Sequence, residues 1–192
     1  EDQKDMEYYQ IPEIDLVVVD LYPFEQTLEE NPGEQEIIEK IDIGGISLIR
    51  AAAKNYQDIL VIPAKEYYDD LIRILDEKQG ETDTEERKKW ALAAFDVSSH
   101  YDTAIFNYFN RGINQTSFKQ DYKNATQLRY GENPHKRGLF FGEFDKLFNQ
   151  LHGKQISYNN LMDIDAAVHL IDDFGSNTFA ILKHNNPCGL AV

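Results

Sequence analysis

Phe179-Ala180-Ile181-Leu182 is a short apolar run that reads as a strand. Lys183-His184 follows it directly, and Asn185-Asn186-Pro187 then reads as a turn. The sequence thus sets an ammonium and an imidazole side by side at the C-terminal end of a strand. In open α/β sheets, ligands bind at that edge. An imidazole takes up a proton near neutral pH, and an ammonium stabilises oxygen charge that develops in a transition state. A Lys-His pair alone has little specificity, because ordinary surface also places such residues at strand ends. A second constellation lies upstream. Asp42 stands just before Gly44-Gly45, where backbone N–H groups at a helix start could face a ligand, and Lys54 follows twelve residues later at the other end of that helix. The plainer reading makes Asp42 an N-cap and Lys54 a cation favoured by the helix dipole.

The elements that must position these groups follow from periodicity. Residues 15–20 (DLVVVD) form a continuous β-branched run, as a buried parallel strand would, and Pro23 ends it. Asn31-Pro32-Gly33 is a turn, and residues 34–41 read as a short helix with Ile37, Ile38 and Ile41 on one side. Residues 46–54 resume as a helix of good formers, 58–62 is a second strand, and 65–78 has apolar residues at helical spacing. Thr82-Asp83-Thr84-Glu85 has the capping-box pattern, heading a helix over 84–109 with a possible break at Ser98-Ser99. Residues 111–124 are polar and read as a linker. Beyond it come a turn-rich stretch over 128–141, a helix over 160–174 and the strand at 179–182. The alternation predicts α/β layering.

The chain has 192 residues, of which 42% are apolar, enough for one large domain or two small ones. Net charge is −15, which argues against nucleic acid as a partner. No apolar run is long enough to cross a membrane, and the acidic start Glu1-Asp2-Gln3-Lys4-Asp5 has neither signal-peptide nor transit-peptide character. Cys188 is the one cysteine, so no internal disulfide forms and a cytoplasmic location is expected. The acidic excess falls in residues 1–120, while four of the five histidines lie in 121–192. This shift predicts a domain boundary near residue 120.

Five segments carry a resemblance: VVVDLYPF at 17–24, IDIGGISLIRAAAKN at 41–55, LRYGENPH at 128–135, SYNNL at 157–161 and KHNNPCG at 183–189. In order and spacing they resemble the bifunctional purine-synthesis family that joins a formyltransferase to an inosine monophosphate (IMP) cyclohydrolase. The resemblance implies an α/β fold in two parts. Residues 1–120 would be the C-terminal part of a methylglyoxal-synthase-like cyclohydrolase domain plus linker. Residues 121–192 would begin a cytidine-deaminase-like transformylase domain. It further implies a fragment that spans the domain junction and lacks turnover by itself.

By the same resemblance, Lys183 and His184 serve formyl transfer from 10-formyltetrahydrofolate, the co-substrate, to aminoimidazole-carboxamide ribonucleotide (AICAR). Asp42, Lys54 and Tyr22 serve ring closure of the formylated product (FAICAR) to IMP. Val19, Asp20 and Ile43 would line one nucleotide, and Arg129, Tyr130, Asn160 and His135 would bind the other. Arg129 suits a phosphate by bidentate hydrogen bonding. No metal is needed, and the parent is expected to be a homodimer. Asp20 departs from the Asn expected there, and Lys136 from a Gln.

Other readings fit less of the chain. Pro187-Cys188 evokes zinc deaminases, but position 191 is Ala and there is no second cysteine. Asp163 and Asp165 are two residues apart, a spacing that turns carboxylates away from each other on a helix, so a solvated face is expected. A non-catalytic nucleotide-binding or dimerising module remains the alternative. A lyase of the methylglyoxal-synthase type would leave the second half unexplained.

Overall fold

The computed structural model describes residues 2–113, 115–123, 125–174 and 177–192, with side chains from residue 4 onward. The chain is mixed α/β and divides into two compact units, residues 1–121 and 122–192.

The first unit begins with helix α1 (Asp2–Tyr9), which periodicity did not suggest. Strand β1 (Leu16–Val18) pairs in parallel with β2 (Leu60–Ile62), with Val17 opposite Val61. Between them run α2 (Phe24–Glu30), α3 (Glu34–Glu39) and α4 (Gly44–Lys54). A 3₁₀ turn (Lys65–Tyr67), α5 (Tyr68–Lys78) and the long α6 (Thr84–Phe109) follow. Expectation and structure differ at β1. All of β2 is buried, but Leu16 and Val18 of β1 are exposed, because the helices pack over β2 while only Val17 of β1 turns to the same core.

The core lies where α4 and α6 close over β2. Ile49, Ala52, Ala53, Val61, Ala91 and Ala94 are buried together there. A second cluster joins Phe24, Ile37 and Tyr101, linking α2, α3 and α6. Small alanines on both helices allow their close approach. Helix α6 crosses the Ser98-Ser99 pair unbroken. Ser98 is fully buried and accepts a hydrogen bond from Arg50 Nη1 at 2.9 Å, while Ser99 Oγ donates to the carbonyl of Asp96 within the helix. The cap of α6 falls one residue later than its pattern suggested. Asp83 Oδ1 accepts the N–H of Glu86, and Glu86 reaches back to the N–H of Asp83. Arg87 then fastens this helix start to the α4–β2 connection by donating to the carbonyls of Tyr56, Gln57 and Thr82.

In the second unit, β3 (Ala125–Gln127) and β4 (Leu139–Phe141) pair antiparallel around the turn-rich stretch. Helix α7 (Phe144–Leu147) sets Phe144 against Phe140 and Phe148. Helix α8 (Tyr158–Asp172) starts two residues earlier than its periodicity suggested, because Ser157 and Asn160 form a capping box. Strands β5 (Phe179–Lys183) and β6 (Asn186–Ala191) form an antiparallel hairpin. The Lys183-His184 pair therefore stands at a tight turn rather than at the open edge of a parallel sheet. Pro187 lies in β6, which has no further strand neighbour among the described residues, where a missing N–H is tolerated.

Candidate functional site

In the first unit the site grows from the end of β1. The Val19 N–H donates to the Ile62 carbonyl at 3.1 Å, extending the ladder by one residue. Asp20 follows. Its Oδ2 accepts the Tyr68 hydroxyl at 2.6 Å, and its Oδ1 is buried without a partner among the described residues. That hydrogen bond, reinforced by burial, raises the Tyr68 pKa above the usual phenol value. Tyr67 and Tyr68 fall in the 65–78 stretch of helical apolar spacing, which accounts for packing alone. Tyr67 does pack edge-on against Trp90, but Tyr68 ties α5 to the residue after β1.

Asp42 is where the chain converges. Its Oδ1 accepts the Gly45 N–H at 2.6 Å, and its Oδ2 accepts the Tyr22 N–H at 3.3 Å. The first of these bonds makes Gly44-Gly45 the opening turn of α4, so the helix starts before Ile46. A Cβ at Gly45 would lie 2.7 Å from Asp42 Oδ2, so the carboxylate can sit here only because the residue has no side chain. The Asp42 N–H donates to the Tyr101 hydroxyl, and Lys40 Nζ lies 5.9 Å from the centre of the Tyr22 ring. Tyr22 and Ile43 are exposed beside this knot. Tyr22, Asp42 and Ile43 thus come together. Lys54 does not join them: α4 is 11 residues long, so it stands about 16 Å away along the axis.

In the second unit two backbone bonds bring residues 128–130 alongside 156–158. The Arg129 N–H donates to the Ile156 carbonyl, and the Tyr158 N–H to that of Tyr130. Arg129 lies over the Tyr130 ring at 4.9 Å, and its Nη2 donates to the Tyr130 hydroxyl at 3.3 Å. The Ser157 hydroxyl and then the Arg129 guanidinium hold the Tyr130 pKa below the ordinary phenol range. Asn160 Oδ1 accepts from both Ser157 N–H and Ser157 Oγ, so the helix cap occupies its carbonyl oxygen. The backbone N–H of His135 is held by Asn133 Oδ1 in a turn, with the imidazole exposed. Lys136 pairs with Glu132 at 2.7 Å.

The turn after β5 has positive φ at both central residues, 52° at His184 and 60° at Asn185. Asn186 Nδ2 donates to the His184 carbonyl at 2.7 Å, and the Asn185 N–H donates to Asp163 Oδ1 at 2.8 Å. Asp163, expected on a solvated face, instead grips this turn. Asp165 is exposed and its backbone carbonyl contacts His169. Sequence reasoning also missed Tyr101 and Lys40. A tyrosine at helical core spacing and a lysine among acids give no signal of their partners.

Among the described residues, no three His, Cys, Asp or Glu side chains gather as a metal site would require, and no helix is long and apolar enough to cross a membrane. A groove between α5 and α6, lined by Tyr67, Arg73, Lys78, Glu86 and Trp90, holds none of the predicted site residues.

A mixed α/β chain with one carboxylate-centred knot and one Lys-His turn can be set beside known proteins. The pattern of the AICARFT/IMPCHase bienzyme family matches residues 52–192. Proteins named "Bifunctional purine biosynthesis protein PurH" match along the whole chain. That of Bacteroides thetaiotaomicron is 58% identical, with this chain covering 38% of its length. Those of Rippkaea orientalis and Prochlorococcus marinus subsp. pastoris are 44% and 42% identical, each covered to 40%. The chain belongs to the AICARFT/IMPCHase bienzyme family, and it spans about two fifths of the length of the curated relatives it matches.

Proposed function

We propose that this chain is part of an enzyme for the last two steps of purine nucleotide synthesis: formylation of AICAR by 10-formyltetrahydrofolate, then dehydrating ring closure of FAICAR to IMP. The observation that carries this reading is the match over residues 52–192 to a family described as a bienzyme of these two activities. Residues 1–120 would belong to the methylglyoxal-synthase-like cyclohydrolase part and 121–192 to the cytidine-deaminase-like transformylase part. The division into two compact units supports that assignment. The whole enzyme would be a cytoplasmic homodimer.

Formyl transfer needs a base, because the lone pair of the AICAR amine is delocalised into the ring and carboxamide. As the amine attacks the formyl carbon, His184 takes its proton and Lys183 stabilises the oxygen that gains charge. The tetrahedral intermediate then collapses: its C–N bond to tetrahydrofolate breaks, the leaving nitrogen takes the proton held by His184, and the carbonyl reforms. Arg129 and Tyr130 bind the nucleotide, Arg129 through its phosphate, with Asn160 and His135 beside them. Ring closure adds the carboxamide nitrogen to the formyl carbon and loses water. Asp42, Tyr22 and Lys54 manage its protons, and Val19, Asp20 and Ile43 line the nucleotide. Lys54 would meet the substrate from the far end of α4.

The test measures both reactions on the uninterrupted parent polypeptide and its His184→Ala variant. Loss of transfer with ring closure preserved is the expected result. A parent that performs neither reaction would favour a non-catalytic binding module, and a variant that transfers formyl as fast as the parent would remove His184 from the chemistry.

A further inference from the structure

Tyr101 sits in the middle of α6 with only 6% of its surface exposed, packed edge-on against Phe24 at 6.0 Å and next to Ile37. A phenylalanine would fill that space equally well, yet the hydroxyl is fully engaged. It accepts the Asp42 N–H at 2.9 Å and donates to the Lys40 carbonyl at 2.8 Å. Both partners are backbone groups of the turn between α3 and α4, about sixty residues earlier in the chain. The same turn delivers the Asp42 carboxylate to the N–H groups of Gly45 and Tyr22. One line of hydrogen bonds therefore runs from the long helix, through the phenol, into the Asp42 backbone, and out through its carboxylate to Tyr22. Burial, opposed by the Asp42 N–H bond and aided by the charges of Asp42 and Asp102, raises the Tyr101 pKa. The phenol thus remains a neutral donor at working pH.

We infer that Tyr101 is a positioning residue for ring closure, its hydroxyl fixing the turn that aims the Asp42 carboxylate. The inference rests on the functional reading above. Tyr101 touches no substrate; it acts through Asp42. Removing the hydroxyl leaves the Asp42 N–H and Lys40 carbonyl without their partner, and the turn can then rotate. Positioning errors of this kind cost rate rather than fold.

The test is a double-mutant cycle in the parent polypeptide, with formyl transfer by the same chain as the control for folding. Tyr101→Phe is expected to lower ring-closure kcat roughly tenfold, the scale of one or two hydrogen bonds, and to leave transfer unchanged. In an Asp42→Ala background the same substitution should cost nothing more. Gly45→Ala, which pushes on the same carboxylate without disturbing the core, should show the same non-additivity. It keeps the test alive if Tyr101→Phe does not accumulate. Ring closure that depends on Asp42 but is indifferent to Tyr101, or equal losses in both backgrounds, overturns the assignment alone. A parent without ring closure, or an Asp42→Ala variant as fast as the parent, removes the functional reading and the assignment with it.

Discussion

Asp163 on α8 accepts the backbone N–H of Asn185 at 2.8 Å, so a helix carboxylate holds the turn that presents His184. The left-handed backbone at His184 costs about 1–2 kcal/mol for an L residue. External bonds from Asp163 and Asn186 offset that cost. Asp163→Ala in the parent polypeptide is expected to slow formyl transfer about tenfold, the scale of a lost charge-assisted bond, with ring closure untouched. Asp163→Asn keeps an acceptor and should retain most of the rate. Transfer unaffected by Asp163→Ala would mean that the hairpin ladder alone fixes the turn.

The long helix α6 depends on its cap. Asp83→Ala removes the side-chain acceptor for the Glu86 N–H and should lower stability by about 1 kcal/mol. The measurement is the urea midpoint of the first unfolding transition. Asp83→Asn, still able to cap, should shift it far less.

Glu86 also answers to pH. The hydrogen bond from Lys78 Nζ, then that from the Asp83 N–H, hold its carboxyl below its ordinary value of 4.5. The folded value is the lower one, so the stabilisation is present above the unfolded value and is lost as pH falls through the folded value. Wild type should therefore exceed Glu86→Gln in stability near neutrality, and the difference should close as the solution is acidified below about pH 4. A difference independent of pH would show that the carboxyl has no charged partner.

Tyr130 offers a spectroscopic handle. Its pKa is lowered, while those of Tyr67, Tyr68 and Tyr101 are raised. Tyrosinate absorbance on alkaline titration should show Tyr130 ionising ahead of these three. Ser157→Ala and Arg129→Ala should each delay that step. A step that persists in Tyr130→Phe belongs to another phenol.

Much of the first unit was legible because its elements have strong periods. The β-branched runs at 15–20 and 58–62 do pair in parallel, and the helical spacing of 65–78 and 84–109 does form helices. The fine structure of both sites was not legible. Gly44-Gly45 joins the first turn of α4 because Asp42 reaches the Gly45 N–H, which no propensity encodes. Tyr101 has the spacing of a core residue, and its two backbone partners lie far away in sequence. Asp163 and Asp165 look alike in sequence, yet one grips a turn and the other is exposed. Lys183-His184 reads as a strand end, but antiparallel return of the chain makes it a hairpin tip.

The enclosure of β2 between α4 and α6 sets how this unit breathes. Leu60, Val61 and Ile62 are all buried, and the Leu60 amide is bonded to the Asp15 carbonyl at 2.8 Å. Solvent deuterium can reach these amides only when both helices part from the strand, so their exchange reports the global unfolding of the unit. The β6 strand, exposed along its whole length, has no such cover among the described residues, so its amides should exchange by local opening. The Lys-His turn thus sits beside an exposed strand, while β2, whose Ile62 carbonyl takes the Val19 N–H, cannot move without dissolving the core around it.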